Sequence, residues 1–371
     1  MAGTATTIQL LSPEGTLVAD EAAEQYLPYI EALDDEHLRR LHRDMVITRR
    51  FDLEATNLQR QGQLALWPPS HGQEAAQVGS AHALRGQDHV FPSYREHAVA
   101  LHRGVDPIDI IRLMRGVTNG GWNPAERGNF HLYTLVLGTQ TLHATGFAMG
   151  IGLDGASGTG DPERDQAVIV YFGDGSTSEG DVSESLVFAA SFQTPEVFFL
   201  QNNQWAISVP VDVQSRGPLA QRAGGFGIPG IQIDGNDVLA SYAVSRSNLE
   251  EARSGGGPRF IEALTYRIGA HTTSDDPSKY RLNAELDSWI ARDPIVRFET
   301  WLRSRGEGDS FFAELAVEAE DFAADVRART LQLGPPSRDL IFDHVYSEPH
   351  PLITEQKRWL EDYENSFGGG A

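Results

Sequence analysis

Residues 167–175 read AVIVYFGDG and residues 197–203 read VFFLQNN. Each is a β-branched and aromatic run closed by turn residues, the pattern of a strand buried on both faces. Between them, residues 179–192 carry apolar side chains at helical spacing, with Val182, Leu186 and Ala189 or Ala190 facing inward, and Pro195 marks the end. Strand, helix and strand in this length form a βαβ unit, so the two strands should run parallel. Further strands are expected near residues 230–233, ending at DGND, and at 259–269, after the SGGGP turn of residues 254–258. This alternation predicts an α/β fold built on a doubly wound, mostly parallel sheet.

Outward from this centre, the pattern turns helical. Residues 1–34 read as an extended arm ending in an acidic stretch. A helix is expected to begin at Asp34 or Asp35, with Leu38, Leu41, Met45 and Ile47 on one face, and residues 54–66 should continue it as polar helix. Residues 67–84 (WPPSHGQEAAQVGSAHAL) read as a loop entering a helix of small residues. The glycines and alanines of residues 144–152 suggest a helix that approaches a neighbour closely. Residues 308–333 form an acidic amphipathic segment, and residues 353–367 a last helix. Its Trp359, Leu360, Tyr363 and Phe367 should pack on the domain or on a partner. The expected division is an arm and first helix at 1–45, a main domain at 46–330 and a helical C-terminal tail at 331–371.

Composition narrows the chemistry. The 371 residues contain no cysteine, which excludes disulfides, thiolate nucleophiles and zinc–sulfur sites. The net charge of −22 repels nucleic acid and anionic membranes. Any phosphate-bearing ligand therefore needs a metal ion or a few well-placed Arg and His residues. No run approaches the roughly 18 apolar residues of a membrane span. The first residues lack the basic and apolar regions of a secretory signal, so a cytoplasmic location is expected.

In open α/β sheets, ligands collect at the carboxyl ends of the strands. Asp174 offers a carboxylate at one such end and Asn203 an amide oxygen at the other, hard donors suited to Mg2+. Gly173 and Gly175 allow backbone N–H groups close to a phosphate. Taken singly, a GDG and an Asn-Asn each read as a surface turn. Together, with residues 176–201 between them, they resemble the thiamine diphosphate fingerprint.

The likeness continues through SHGQEAAQVGSAHAL (70–84), FPSYREHAVALHRG (91–104), LGTQTLHATGFAMG (137–150), YFGDGSTSEGD (171–181), FFLQNNQWAISVP (198–210) and YRIGAHTTSDDPSKYR (266–281). The chain resembles the alpha subunits of the pyruvate and branched-chain 2-oxo acid dehydrogenase family. SEGD, NNQWAIS and RIGAHTTSDD look more like the branched-chain enzymes. The resemblance implies a thiamine diphosphate-binding fold, the transketolase-like pyrophosphate domain.

Carried over by position, Asp174, the Asn203 side chain and the backbone oxygen of Trp205 should hold Mg2+. Gly173, Gly175 and Ser176 belong to the same cofactor-binding segment. Tyr94 and Arg95 should meet the diphosphate, and Arg267 and His271 should sit near the same end as cofactor-binding residues, although a surface salt bridge is the commoner fate of an arginine. An Arg–phosphate pair at about 4 Å and an effective dielectric near 20 is worth roughly 4 kcal/mol before desolvation. His271 should transfer protons, since imidazole titrates near working pH. Leu137 matches the apolar residue that bends thiamine. Thr139 and Gln140 match a potassium site, flanked here by an unusual TLVLG. Gln201 stands where some relatives carry arginine, which implies a weaker diphosphate contact. Thr272 aligns with a serine phosphorylated in mitochondrial relatives.

The cofactor carries the decarboxylation chemistry, and the glutamate that activates it comes from a beta subunit in this family. About 170 residues follow the Asn-Asn pair, roughly one ordinary domain, and the last strands and tail of this domain use them. The expected activity is oxidative decarboxylation of a 2-oxo acid with acyl transfer to lipoamide. The expected assembly is alpha2-beta2, docked on a lipoyl acyltransferase core. A pyruvate or acetoin dehydrogenase alpha subunit is the near alternative. A non-catalytic Mg2+–diphosphate module is the distant one, and it would not need His271.

Overall fold

The computed structural model describes residues 7–18, 20–118 and 120–367. The beginning of the expected arm (1–6) and the end of the tail (368–371) lie outside them. Eight strands are found among the described residues. β1 (Thr7–Ile8), β2 (His89–Phe91), β3 (Val168–Gly173), β4 (Glu196–Asn202), β7 (Gly230–Asp234) and β8 (Arg259–Leu264) form one sheet. β5 (Trp205–Ala206) and β6 (Val209–Pro210) form a small antiparallel hairpin.

The sheet order is β1-β7-β8-β4-β3-β2, and every pairing in it is parallel. Side chains alternate between two cores, as the two-residue period of a strand requires. Ile169, Tyr171, Val197 and Phe199 enter the larger core, with the helices Asp35–Arg60, Glu74–His82 and Val238–Arg253. Val168, Val170, Phe172, Phe198 and Leu200 enter the smaller one, with the helices Thr139–Leu153 and Gly180–Phe192. This is the expected doubly wound architecture. β3 and β4 pair with Gly173 opposite Gln201, so GDG and Asn-Asn leave the sheet side by side.

Several segments differ from the expectation. The helix from Asp35, capped by the Asp34 side chain, stops at Arg60 and does not run on to residue 66. It also continues without a break across the expected boundary at residue 45. Residues 7–8 of the arm are an edge strand, held where Asp237 Oδ2 accepts the N–H groups of Leu10 and Leu11 at 2.7 and 2.6 Å. The glycine-bearing helix Thr139–Leu153 does not meet a close neighbour through its glycines: added Cβ atoms at Gly146, Gly150 and Gly152 would touch nothing within 4 Å. In the last helix, Pro351–Asn365, Trp359 and Tyr363 stack on each other and remain exposed to solvent, as does Phe367 beyond it. No helix among the described residues is long and apolar enough to cross a membrane.

Candidate active site

A cavity of about 360 Å³ opens at the carboxyl ends of β3 and β4. Gly173, Asp174, Gly175 and Ser176 line it from one side, and Asn203, Trp205, Ala206 and Ile207 from the other. Tyr94, Arg95, Leu137 and His271, also expected from the sequence, line it too. Gly175 cannot carry a side chain, because its Cβ would stand 2.9 Å from that of Ala206.

Asp174 is 1% exposed. Burial raises its carboxyl above the usual range, opposed chiefly by the hydrogen bond from Gln214 Nε2 at 3.0 Å. Asn203 donates to Gln73 Oε1 at 3.3 Å, and its own Oδ1 accepts from the Trp205 N–H at 3.3 Å. The turn that holds these groups is strained. Gln204 and Ile207 have φ of 71° and 54°, a region that is costly for a β-branched residue such as Ile207.

Arg267 is fully buried and lies beneath the cavity, not in its lining. It donates to the backbone oxygens of Trp205 (2.9 Å) and Ile207 (2.7 Å) and to the Tyr280 hydroxyl (3.0 Å). The Trp205 oxygen expected to face a metal ion therefore already receives one hydrogen bond, and its second lone pair is left for other partners. Arg95 does line the cavity. It donates to the carbonyls of Pro69 and His271, and its guanidinium sits 5.4 Å from the Tyr94 ring centroid.

His271 Nδ1 lies 3.4 Å from both Arg95 Nη2 and Arg267 Nη1. Burial, then Arg95 and Arg267, push the imidazole down to about 3. The ring is neutral near pH 7. Two guanidinium donors facing Nδ1 select the tautomer with its proton on Nε2.

Sequence reasoning missed the lining groups Glu96 and Gln214. Glu96 is buried, and burial raises its carboxyl to about 7. Gln201 donates to Glu96 Oε1 at 2.7 Å and accepts from Gln77 at 3.0 Å, so it is committed to that network. Gln73 and Gln214 also face the cavity. Gln73 lies inside the matched segment 70–84, whereas Gln214 lies outside every matched segment. Thr139 donates to Asp181 at 3.0 Å, while Gln140 donates to the Tyr171 carbonyl at 2.9 Å.

A parallel sheet with this cavity at the ends of its central strands limits the families that can be meant, and comparison settles which one. The profile of the dehydrogenase E1 component family matches residues 42–311. The chain belongs to the dehydrogenase E1 component family. It is 44% identical over 356 residues to the 3-methyl-2-oxobutanoate dehydrogenase subunit alpha of Mycobacterium tuberculosis (strain ATCC 25618 / H37Rv), covering 95% of this chain and 93% of that one. It is 38% identical over 355 residues to the pyruvate dehydrogenase E1 component subunit alpha of Acholeplasma laidlawii, covering 93% and 98%. Against the subunit of the same name from Bacillus cereus it is 37% identical over 314 residues, covering 84% and 80%. Membership of the E1 family implies thiamine diphosphate as cofactor and a partner subunit.

Proposed function

We propose that this E1 component is the alpha subunit of a branched-chain 2-oxo acid dehydrogenase. It would decarboxylate acids such as 3-methyl-2-oxobutanoate and pass the acyl group to a lipoyl group. The observation that carries this reading is the convergence of Asp174, Asn203, the Trp205 backbone and His271 on one cavity, in a chain 44% identical to a subunit named for that activity. The relatives named for pyruvate are 37–38% identical, so pyruvate is the second reading.

The residues fit thiamine diphosphate and Mg2+. Ser176 Oγ and Gln73 Nε2 are buried polar atoms without a protein partner, and both residues line the cavity. Unmet donors of this kind suit a guest rich in acceptor oxygens. Asp174, Asn203 and the Trp205 oxygen would hold the metal ion. Ser176, Gln73, Tyr94 and Arg95 would meet the diphosphate. The bound cofactor supplies the electron sink that makes loss of CO2 from a 2-oxo acid feasible. Leu137 contributes an apolar wall. His271 Nε2–H can donate a hydrogen bond to a substrate oxygen and hand on its proton, while the two arginines hold the ring in place. Gln140 Oε1 is buried without a partner beside Thr139, which supports a potassium ion there.

The partner is a beta subunit, in an alpha2-beta2 assembly on a lipoyl acyltransferase core. Leu137, Ile207 and Val209 rim the cavity yet stay partly open to solvent, an apolar mouth that a second chain would close. Calorimetric titration of the co-purified complex with thiamine diphosphate and Mg2+ tests the cofactor assignment. Saturable binding that disappears in Asp174→Ala is the expected result, and unchanged binding in that variant overturns it.

A further inference from the structure

We propose that Asp44, His82 and His102 form a second metal site, for a transition-metal dication such as Zn2+, that shares no residue with the active-site cavity. The three side chains come from three helices, Asp35–Arg60, Glu74–His82 and His97–His102. Their donor atoms lie within 4.8 Å of one another. Asp44 Oδ2 is 2.8 Å from His82 Nε2 and 3.4 Å from His102 Nδ1. Ligands about 2.0 Å from a tetrahedral ion stand roughly 3.3 Å apart, so these spacings bracket the requirement with small adjustments.

The surroundings are those of a binding site. His82 is 4% exposed, whereas Asp44 and His102 are 21% and 26% exposed and open on a cleft of about 560 Å³. Water or a small anion entering from the cleft can supply the remaining position, as in three-ligand zinc sites. Both histidines sit in the last turns of their helices, whose partial negative charge favours a cation. Arg43 contacts the other oxygen, Asp44 Oδ1, at 3.1 Å, and is shared with Glu318, so Oδ2 remains directed at the histidines.

His37 supplies a second, independent feature. Its Nε2 lies 3.2 Å from His82 Nδ1, on the side of the ring away from Asp44. A metal-binding imidazole needs such an outer acceptor to fix its orientation and tautomer. Two imidazoles and one carboxylate suit Zn2+, Co2+ or Ni2+ better than Mg2+ or Ca2+. The ion would tie together three helices that pack behind the larger core.

The test uses the full chain purified with its partner subunit, stripped with chelator and then saturated with thiamine diphosphate and Mg2+ to occupy the active site. Zn2+ is titrated by calorimetry, and Co2+ by visible absorption. One saturable equivalent is expected, with Co2+ bands of a low-coordinate ion, and it should persist in Asp174→Ala. His37→Phe should weaken it by about 10–100-fold, the usual cost of losing an outer partner. His102→Gln and Asp44→Asn, changes at partly exposed positions, should weaken it further still while leaving turnover intact. The absence of a saturable equivalent in the parent protein overturns the proposal. So does undiminished binding in both His102→Gln and Asp44→Asn, which would place the ion elsewhere.

Discussion

Asp174 combines deep burial with a single side-chain donor, Gln214, an arrangement that a bound cation would stabilise. Asp174→Asn removes the charge and keeps the shape. Turnover should fall by more than the roughly 100-fold that follows loss of an outer metal partner, with the melting temperature unchanged or raised. His271 makes a different prediction. Its pKa is low because of burial and because two cations face it. Removing one of them in Arg95→Met favours the imidazolium, so the pKa should rise, read from the histidine resonances of labelled protein. A downward or absent shift contradicts the arrangement. The sequence grouped Asp174, Asn203, Trp205 and His271, which line one cavity here, because each lies in a short contiguous motif. Glu96, and the pairing of Gln201 with it, were not legible, because that hydrogen bond joins residues far apart in the chain and no local pattern encodes it.

At the scale of elements, β3 and β4 were legible because both of their faces are buried, which leaves a continuous apolar run. β1 and β2 have two and three residues, too few to show any period. A buried ion pair near the start of the sheet could not be foreseen either. Arg253 forms a fully buried ion pair with Asp88, whose carboxylate also accepts the N–H groups of Arg85 and Ala167. This cluster anchors the start of β3, away from the cavity. Arg253→Met should destabilise the protein by about 3–5 kcal/mol, because it strands a buried carboxylate, and folded protein should keep its turnover. Glu196, at the start of β4, is held by Thr145 and Thr194, and burial raises it to about 8. Folding therefore favours its protonated form. That contribution is complete below about 4.5 and is lost as pH rises through about 8. Glu196→Gln should melt with the parent near pH 5 and about 5 °C or more above it near pH 9. Parallel curves across that range would contradict the assignment.

For the whole molecule, exposed apolar surface is the main unspent feature. Phe147 on one helix and Val187, Phe188 and Phe192 on its neighbour are all partly or well exposed, next to glycines that touch nothing in this chain. Exposed apolar surface of this kind suits a subunit contact, and an E1 alpha chain needs one. Phe188→Asp should shift the co-expressed complex toward smaller species in sedimentation velocity, and an unaltered profile would remove this face from the interface. The need for a partner came from the family resemblance, in which the cofactor-activating glutamate belongs to the beta subunit. The sequence could not indicate the face, because exposure is a property of the packed fold. The tail remained equally open in the sequence: the apolar side chains of its last helix read as a packing surface, and the fold leaves Trp359, Tyr363 and Phe367 exposed.

The most direct measurement is kcat/KM of the chain co-purified with its beta partner, with thiamine diphosphate and Mg2+, for pyruvate, 2-oxoisovalerate, 2-oxoisocaproate and 2-oxo-3-methylvalerate. The branched acids should exceed pyruvate by roughly tenfold or more, the discrimination that a few methylenes can supply, and Asp174→Ala should abolish turnover of all four. A preference for pyruvate would contradict the branched-chain assignment. Cofactor binding without turnover of any acid would contradict the catalytic account itself.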